Sequence, residues 1–315
     1  MKCLGLLLFL LCLATPFAYA DQAGWSVIED AYKASQNKNY KGIYISQHGQ
    51  ELKSVEITHA LHGNEQFTRI NLLDGNADEI FSQGDTAVIY HKRDNTIVVQ
   101  KREQQHLFPA IFPKDINSIK KYYLLSFGKP DRVAGRITQN IVLTPKDDLR
   151  YAYHFWLDQQ TSLPMKMIVQ NLKKEVLEQS AFNKIQFVSS MGLDWFKPTV
   201  DLSKEYLMDD GLSKEINLNR FWKASNIPPG FKEVNFIASK MPGINMMSYH
   251  TVYSDGLSYI SLFLQPVRKG QKPKTGDLNF DATNVAARYY NGYQIMAVGA
   301  VPLKAVRNLI DSVDF

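Results

Sequence analysis

Cysteine is all but missing. Its two copies, Cys3 and Cys12, both fall in the first dozen residues, inside what reads as an export leader. The remainder holds no thiol, which excludes disulfide stapling and thiolate catalysis. Long apolar runs are missing as well: after residue 21 nothing approaches the ~20 residues that a membrane-spanning helix needs. No Gly-x-Ser-x-Gly elbow, His-Glu-x-x-His pair, phosphate-binding glycine loop or dinucleotide fingerprint occurs. Seven histidines are present without zinc-ligand spacing; His59 and His62 come nearest, at a strand end beside a turn. Catalytic triads are set by geometry rather than by motif, but this pattern points away from an enzyme, and no cofactor or metal is expected. Dense basic clustering, the footprint of a nucleic-acid binder, is also lacking. The formal charge is +5, one less once Lys2 leaves with the leader. That mild excess suits an acidic partner or an anionic lipid surface.

The leader itself is short. Lys2 supplies a positive end, Leu4 to Leu13 is apolar, Pro16 breaks the run, and Ala18-Tyr19-Ala20 has small-x-small cleavage spacing. Cleavage near Ala20 and export to a Gram-negative periplasm are expected. The mature chain is too long for one ordinary core, so two domains are the starting expectation.

Tyrosine and phenylalanine are plentiful, 16 and 17 copies, many at alternating positions. From Asp131 to Phe187, four runs rich in β-branched and aromatic residues are separated by polar breaks, the pattern of an antiparallel meander. Leu149, Tyr151, Tyr153, Phe155 and Leu157 share one face; Arg150, Ala152, His154, Trp156 and Asp158 share the other. Leu163, Met165, Met167 and Val169 repeat the apolar face on the next run. Pro145-Lys146-Asp147-Asp148 and Gln159-Gln160-Thr161-Ser162 supply turns. Upstream, a helix is predicted over 24–36, with Ser26 and Glu29 at capping-box spacing, then short strands from Tyr40 to Lys101. Leu107 to Pro113 carries two prolines and cannot be a central strand, yet Leu107, Phe108, Ile111 and Phe112 are too apolar for a solvated loop. Either it plugs the sheet's apolar face, or it is a movable lid over a cavity. A short helix is predicted over 115–123. Residues 189–217 read as a polar linker. Beyond it come two hairpins, turning at Ser254-Asp255-Gly256-Leu257 and at Asn291-Gly292, and a last helix after Pro302 with Val306, Leu309, Ile310 and Val313 on one side. Between the hairpins, Arg268, Lys269, Lys272 and Lys274 fall on a loop.

An ordered series of segments resembles the MucB/RseB family of periplasmic regulators. It includes YKGIYIS from Tyr40, RVAGR at 132–136, LTPKDDLRYAYHFWLD at 143–158, TSLPMK at 161–166, VLEQSAF at 176–182, YSDGLS at 253–258 and the closing VGAVPLKAVRNLIDSV. Trp222, Pro229, Gly230 and Phe231 match a further family segment. The resemblance implies an α+β, mostly antiparallel chain. Residues 21–188 would be a lipoprotein-carrier-like unclosed half-barrel with covering helices, residues 189–217 a linker, and residues 218–315 a smaller α+β domain. It also implies a negative regulator of the envelope-stress response. Such a protein binds the periplasmic domain of a single-span anti-sigma factor, shields it from site-1 proteolysis, and lets go on meeting lipopolysaccharide or misplaced acyl lipid. On that basis Phe108, Ile111, Phe112 and Trp156 are the candidate lipid-sensing residues, and Tyr253, Asp255, Arg268, Lys269, Lys272 and Lys274 the candidate partner contacts. The other reading from the same features is a periplasmic lipid or lipoprotein carrier. A homo-oligomer is left open.

Overall fold

A computed structural model describes residues 17–75, 78–84, 86–93, 95–101, 107–197, 207–210, 220–240 and 246–315. Most of the predicted leader, and the linker segments 198–206 and 211–219, lie outside these residues. Helix α1 (Phe17–Asn37) precedes strands β1 (Tyr40–His48), β2 (Glu51–His62), β3 (Glu65–Leu72), β4 (Glu79–Gln83), β5 (Thr86–His91) and β6 (Thr96–Lys101). After helix α2 (Asn117–Lys120) come β7 (Tyr123–Phe127), β8 (Asp131–Val133), β9 (Arg136–Pro145), β10 (Ala152–Asp158), β11 (Pro164–Gln170), β12 (Val176–Phe187) and β13 (Leu207–Asp210). These strands form one sheet in the order β13-β6-β5-β4-β3-β2-β1-β12-β11-β10-β9-β7, with β8 also paired to β9. Among the described residues its two ends do not meet, so the sheet is unclosed. Every pairing is antiparallel except β13 on β6.

One face of this sheet is covered. Tyr40, Tyr44, Ile57, Phe155, Met165, Met167 and Phe182 are buried there against Trp25, Ile28 and Ala31 of α1 and against Phe108, Ile111 and Phe112. The predicted alternation holds along β10 and β11: Tyr153, Phe155 and Leu157 are buried, as are Leu163, Met165, Met167 and Val169. Three expectations change. The run 131–145 is itself a hairpin, turning at Ala134 and Gly135, both with positive φ. The helix expected over 115–123 is only four residues long, because Tyr123 already belongs to β7 and pairs with Pro145. The linker is not wholly without regular structure, since β13 adds an edge strand.

On the sheet's other side, Arg136 grips Asp158 with two donors, at 2.7 and 2.9 Å, while Thr161 donates to the same carboxylate. Burial pushes the Asp158 carboxyl up, but these donors and the guanidinium charge outweigh it and hold it below the usual range. A carboxyl lowered in the fold stabilises above its unfolded pKa of about 3.9 and loses that contribution as pH falls through the folded value. The stability gap between the protein and Asp158→Asn should therefore be full at neutral pH and narrow below about pH 4. Urea unfolding at several pH values measures it; a gap that does not change with pH contradicts the assignment.

The second sheet contains β15 (Lys232–Lys240), β16 (Met247–Ser254), β17 (Tyr259–Pro266), β18 (Gly276–Phe280), β19 (Thr283–Tyr290) and β20 (Tyr293–Gly299), in the order β15-β16-β17-β20-β19-β18. Helix α3 (Leu303–Asp311) lies across β19 and β20, and β14 (Lys223–Ala224) pairs with β21 (Val313–Asp314). Ala305, Val306, Leu309 and Ile310 of α3 meet Leu262, Leu264, Ala286, Ile295 and Ala297 in a second core. Asn291 and Gly292 both take positive φ, as a two-residue hairpin loop requires. The Asp255 hairpin differs. Only Gly256 has positive φ, and the Asp255 carboxylate shapes the loop instead, accepting from the Leu257 and Ser258 amides at 3.0 and 2.8 Å. The loop expected between the two hairpins also contains a strand, β18.

Candidate functional site

The two cores meet through a charged, aromatic junction, and the residue at its centre is Arg150. The 143–158 run was expected to put this arginine on the sheet face opposite the apolar one. Instead β10 begins at Ala152, and the preceding turn swings Arg150 into the space between the two sheets, where it has no solvent exposure. Asp147 makes that turn by accepting from the Leu149 amide at 3.0 Å, and its carboxylate also receives Arg150 Nε at 3.0 Å. Arg150 Nη1 donates to Asp255 at 2.9 Å, and Nη2 donates to the Pro229 carbonyl. The guanidinium lies over Tyr122 at 4.6 Å and Phe231 at 5.4 Å. A planar fork can serve three acceptors and two rings at once, which a lysine cannot do. Burial pushes the Asp255 carboxyl up, while the Ser258 and Leu257 amides and the Arg150 guanidinium pull it back.

Around this ion pair further side-chain contacts bridge the two sheets. Tyr153 Oη lies 2.9 Å from Ser258 Oγ, and Asn284 donates to Tyr151 Oη at 3.0 Å. Lys304 pairs with Asp148 at the exposed rim. Leu257 is buried in the first core, and Leu149 packs against the second. Two glycines make the fit this close. At Gly230 (φ +87°) an added Cβ would fall 2.2 Å from the Tyr122 ring, and at Gly256 (φ +100°) 2.8 Å from Ser118 Oγ and 3.0 Å from Pro113 Cγ. The 254–258 turn therefore rests directly on the Phe108–Pro113 segment and on α2.

That segment is a packed plug. Phe108, Ile111 and Phe112 are 4–6% exposed. Phe108 sits against Tyr44 and Phe182 at 5.1 and 5.3 Å, and Phe112 against Phe155 at 4.5 Å. The gap left under it, bounded by Tyr40, Ile57, His59 and Ile70, is a small cleft fit for water-sized groups rather than an acyl chain. Trp156 does not join these three. It is half-buried on the opposite face of β10, with the Lys166 ammonium 4.5 Å from its ring. The candidate partner contacts also divide. Tyr253 (2% exposed) belongs to the second core, and Asp255 (1%) is spent on Arg150 and its own turn, so neither offers a surface. Arg268, Lys269, Lys272 and Lys274 are all exposed on the loop between β17 and β18. Sequence reasoning missed Arg150, Asp147, Tyr151, Tyr153 and Asn284 as junction residues. The available signal was an arginine three residues after an aspartate, followed by alternating tyrosines. Among the described residues no group of three His, Cys, Asp or Glu side chains converges, and no helix is long and apolar enough to cross a membrane.

Comparison with known proteins locates this architecture. Residues 25–200 match the MucB/RseB N-terminal domain and residues 217–314 the MucB/RseB C-terminal domain. The Sigma-E factor regulatory protein RseB of Salmonella typhimurium is 25% identical over 303 residues, 95% of this chain and 92% of the relative. The sigma factor AlgU regulatory protein MucB of Pseudomonas aeruginosa is 24% identical over 289 residues, 90% of this chain and 88% of the relative. Among solved structures, the Pseudomonas aeruginosa MucA/MucB complex aligns with TM-score 0.75 at 21% identity, over 93% of this chain and 98% of the matched one. A crystal structure of MucB aligns at 0.66, with 20% identity, over 94% of this chain and 98% of the other. The fold is thus shared with MucB, and the named relatives are regulatory proteins rather than enzymes.

Proposed function

The chain belongs to the MucB/RseB family, and from that premise we propose that it is a periplasmic regulator of an envelope-stress sigma factor, with its leader removed near Ala20. It binds the periplasmic domain of a single-span anti-sigma factor and shields it from site-1 proteolysis. Lipopolysaccharide or misplaced acyl lipid releases it. Residues 21–188 act as the lipid-responsive unit, residues 189–217 as the linker and residues 218–315 as the partner-binding unit. The relative solved with MucA bound supports the choice of partner class.

One observation of this chain supports the regulatory half of that reading. The Phe108–Pro113 plug fills the first sheet's apolar face and at its far end touches Gly256 in the second unit. A ligand releases a partner only if it binds the partner-free arrangement more tightly than the bound one. An acyl chain entering the first sheet must move the plug, and moving the plug disturbs the 254–258 turn. The carrier reading has less support, because the face a carrier would keep open is filled by Phe108, Ile111 and Phe112. The test is capture of the anti-sigma factor's purified periplasmic domain by the full chain, by calorimetry, with and without lipopolysaccharide. Micromolar or tighter binding, weakened by lipopolysaccharide, is expected. Acyl lipid that co-purifies and passes to a membrane acceptor, with no capture, would instead establish the carrier.

A further inference from the structure

The second sheet has two faces, and α3 covers one of them. On the other, cross-strand register aligns Leu278, Val285 and Val298 in one row and Met296 with Phe263 in the next. None of these side chains belongs to either buried core, and each keeps partial exposure. Exposure is greatest at the margin, where Leu278 and Phe280 of β18 are 59% and 60% exposed. Among the described residues β18 is one of the sheet's two outermost strands, and unlike β15, which begins and ends on lysine, it contains neither lysine nor proline, two common guards of a free edge. Its polar side chains point the other way: Asp277 pairs with Arg307, and Asn279 donates to the buried Asn284.

The basic loop borders this same face. Gln294, two residues before Met296 and on its side of β20, accepts from the Lys274 amide and donates to the Lys274 carbonyl, both at 2.6 Å. That tie sets Lys274 beside the apolar rows, with exposed Arg268, Lys269 and Lys272 on the same loop. An open edge, an apolar strip and a cationic border thus occur together.

The geometry points to β18 and the face behind it as the docking surface for an extended acidic segment of the anti-sigma factor's periplasmic domain, with apolar residues at alternate positions. The segment adds as a strand to β18, sets its apolar side chains on Leu278 and Phe280, and its carboxylates meet the 268–274 loop. Charge decides between occupants. A second copy of this chain would double the cations at one edge, whereas an acidic segment neutralises them. This inference rests on the regulator reading and names the surface that reading leaves unassigned.

The test uses the full chain and the purified periplasmic domain of the cell's own single-span anti-sigma factor. Leu278→Asp/Phe280→Asp and, separately, Lys269→Glu/Lys272→Glu/Lys274→Glu should each weaken binding by about tenfold or more, the size expected at the centre of an interface. All five positions are exposed, and circular dichroism checks that the variants fold. Hydrogen exchange on the unaltered complex gives a readout free of any variant: the amides of 276–280 should gain protection. Unaltered partner affinity in both variants, with no added protection at 276–280, overturns the docking surface and leaves the regulator reading standing. A dimer of the free chain that the variants abolish without changing partner affinity assigns the edge to a second copy and also overturns it. If the unaltered chain binds no such domain, the regulator reading fails and this surface falls with it.

Discussion

Replacing Arg150 with methionine is expected to destabilise the protein by about 3–5 kcal/mol, the usual result of removing one partner from a fully buried ion pair. The loss comes less from the contact removed than from what stays behind. Asp255 keeps its two amide donors but loses the cation facing it, and the Pro229 carbonyl loses its donor. Asp255, only 1% exposed, cannot turn to water from inside the junction, and an unsatisfied buried acceptor carries its full desolvation cost. Arg150→Lys should recover only part of the loss, since an ammonium on this stem cannot serve Asp147, Asp255 and the Pro229 carbonyl together. Adding Asp255→Asn to Arg150→Met should cost less than the sum of the two single changes, because it removes the stranded charge. Urea unfolding followed by two probes measures all of this. The unaltered chain should give coincident transitions, whereas in Arg150→Met the two sheets should melt separately. A loss below about 1 kcal/mol, with a single transition retained, would show that the junction is not a fastener.

The same residue marks where sequence reading stopped. Alternation along 149–158 identified the apolar face of β10 correctly from Tyr151 to Leu157. It could not show that the strand starts at Ala152, because the turn that frees Arg150 is held by Asp147, and the partner that draws the arginine inward is Asp255, 105 positions away. Periodicity reports which side chains share a face and says nothing of what covers that face. Tyr253 and Asp255 were expected to meet the partner because the family resemblance implies that role for the YSDGLS hairpin, and only the arrangement of the two sheets shows that this tip is capped by Pro113, Ser118 and Arg150. The candidate lipid-sensing set divided along the same line. Phe108, Ile111 and Phe112 were legible as packed side chains because their apolar density contradicts a solvated loop, but the choice between plug and lid stayed open until their contacts with Tyr44, Phe155 and Phe182 were seen. Trp156 belongs to the other face by strict alternation, where Lys166 on the neighbouring strand lies over its ring. The short α2 reflects competition: Tyr123 is worth more as the first residue of β7, buried beside Tyr153 at 6.2 Å, than as the last of a helix.

Phe112→Ala is expected to cost about 3–5 kcal/mol, as for other buried phenylalanine truncations, and the hole it leaves tests how lipid acts. The Phe112 ring is 4% exposed and lies 4.5 Å from Phe155 at the base of the plug. Packing on that side is shared by a pleated sheet and an irregular segment, so the gap should close incompletely. Apolar cavities of this kind stay dry and accept apolar ligands. A single-chain amphiphile below its micelle concentration should therefore raise the variant's melting temperature more than that of the unaltered protein, by several degrees for each ~2 kcal/mol of binding. Equal shifts in both would mean that the amphiphile binds elsewhere. The direction of coupling then comes from contact alone. Phe112 is joined to Pro113, and Pro113 touches the 254–258 turn. An acyl chain small enough to share the cavity with an intact plug leaves that turn in place. A chain that must expel Phe112 takes Pro113 with it and loosens the turn that holds Asp255 against Arg150. The variant loaded with a short amphiphile should thus keep its affinity for the anti-sigma domain, while the unaltered protein exposed to a long-chain lipid should lose it. The release signal would then be displacement of the plug, with occupancy of the cavity insufficient by itself.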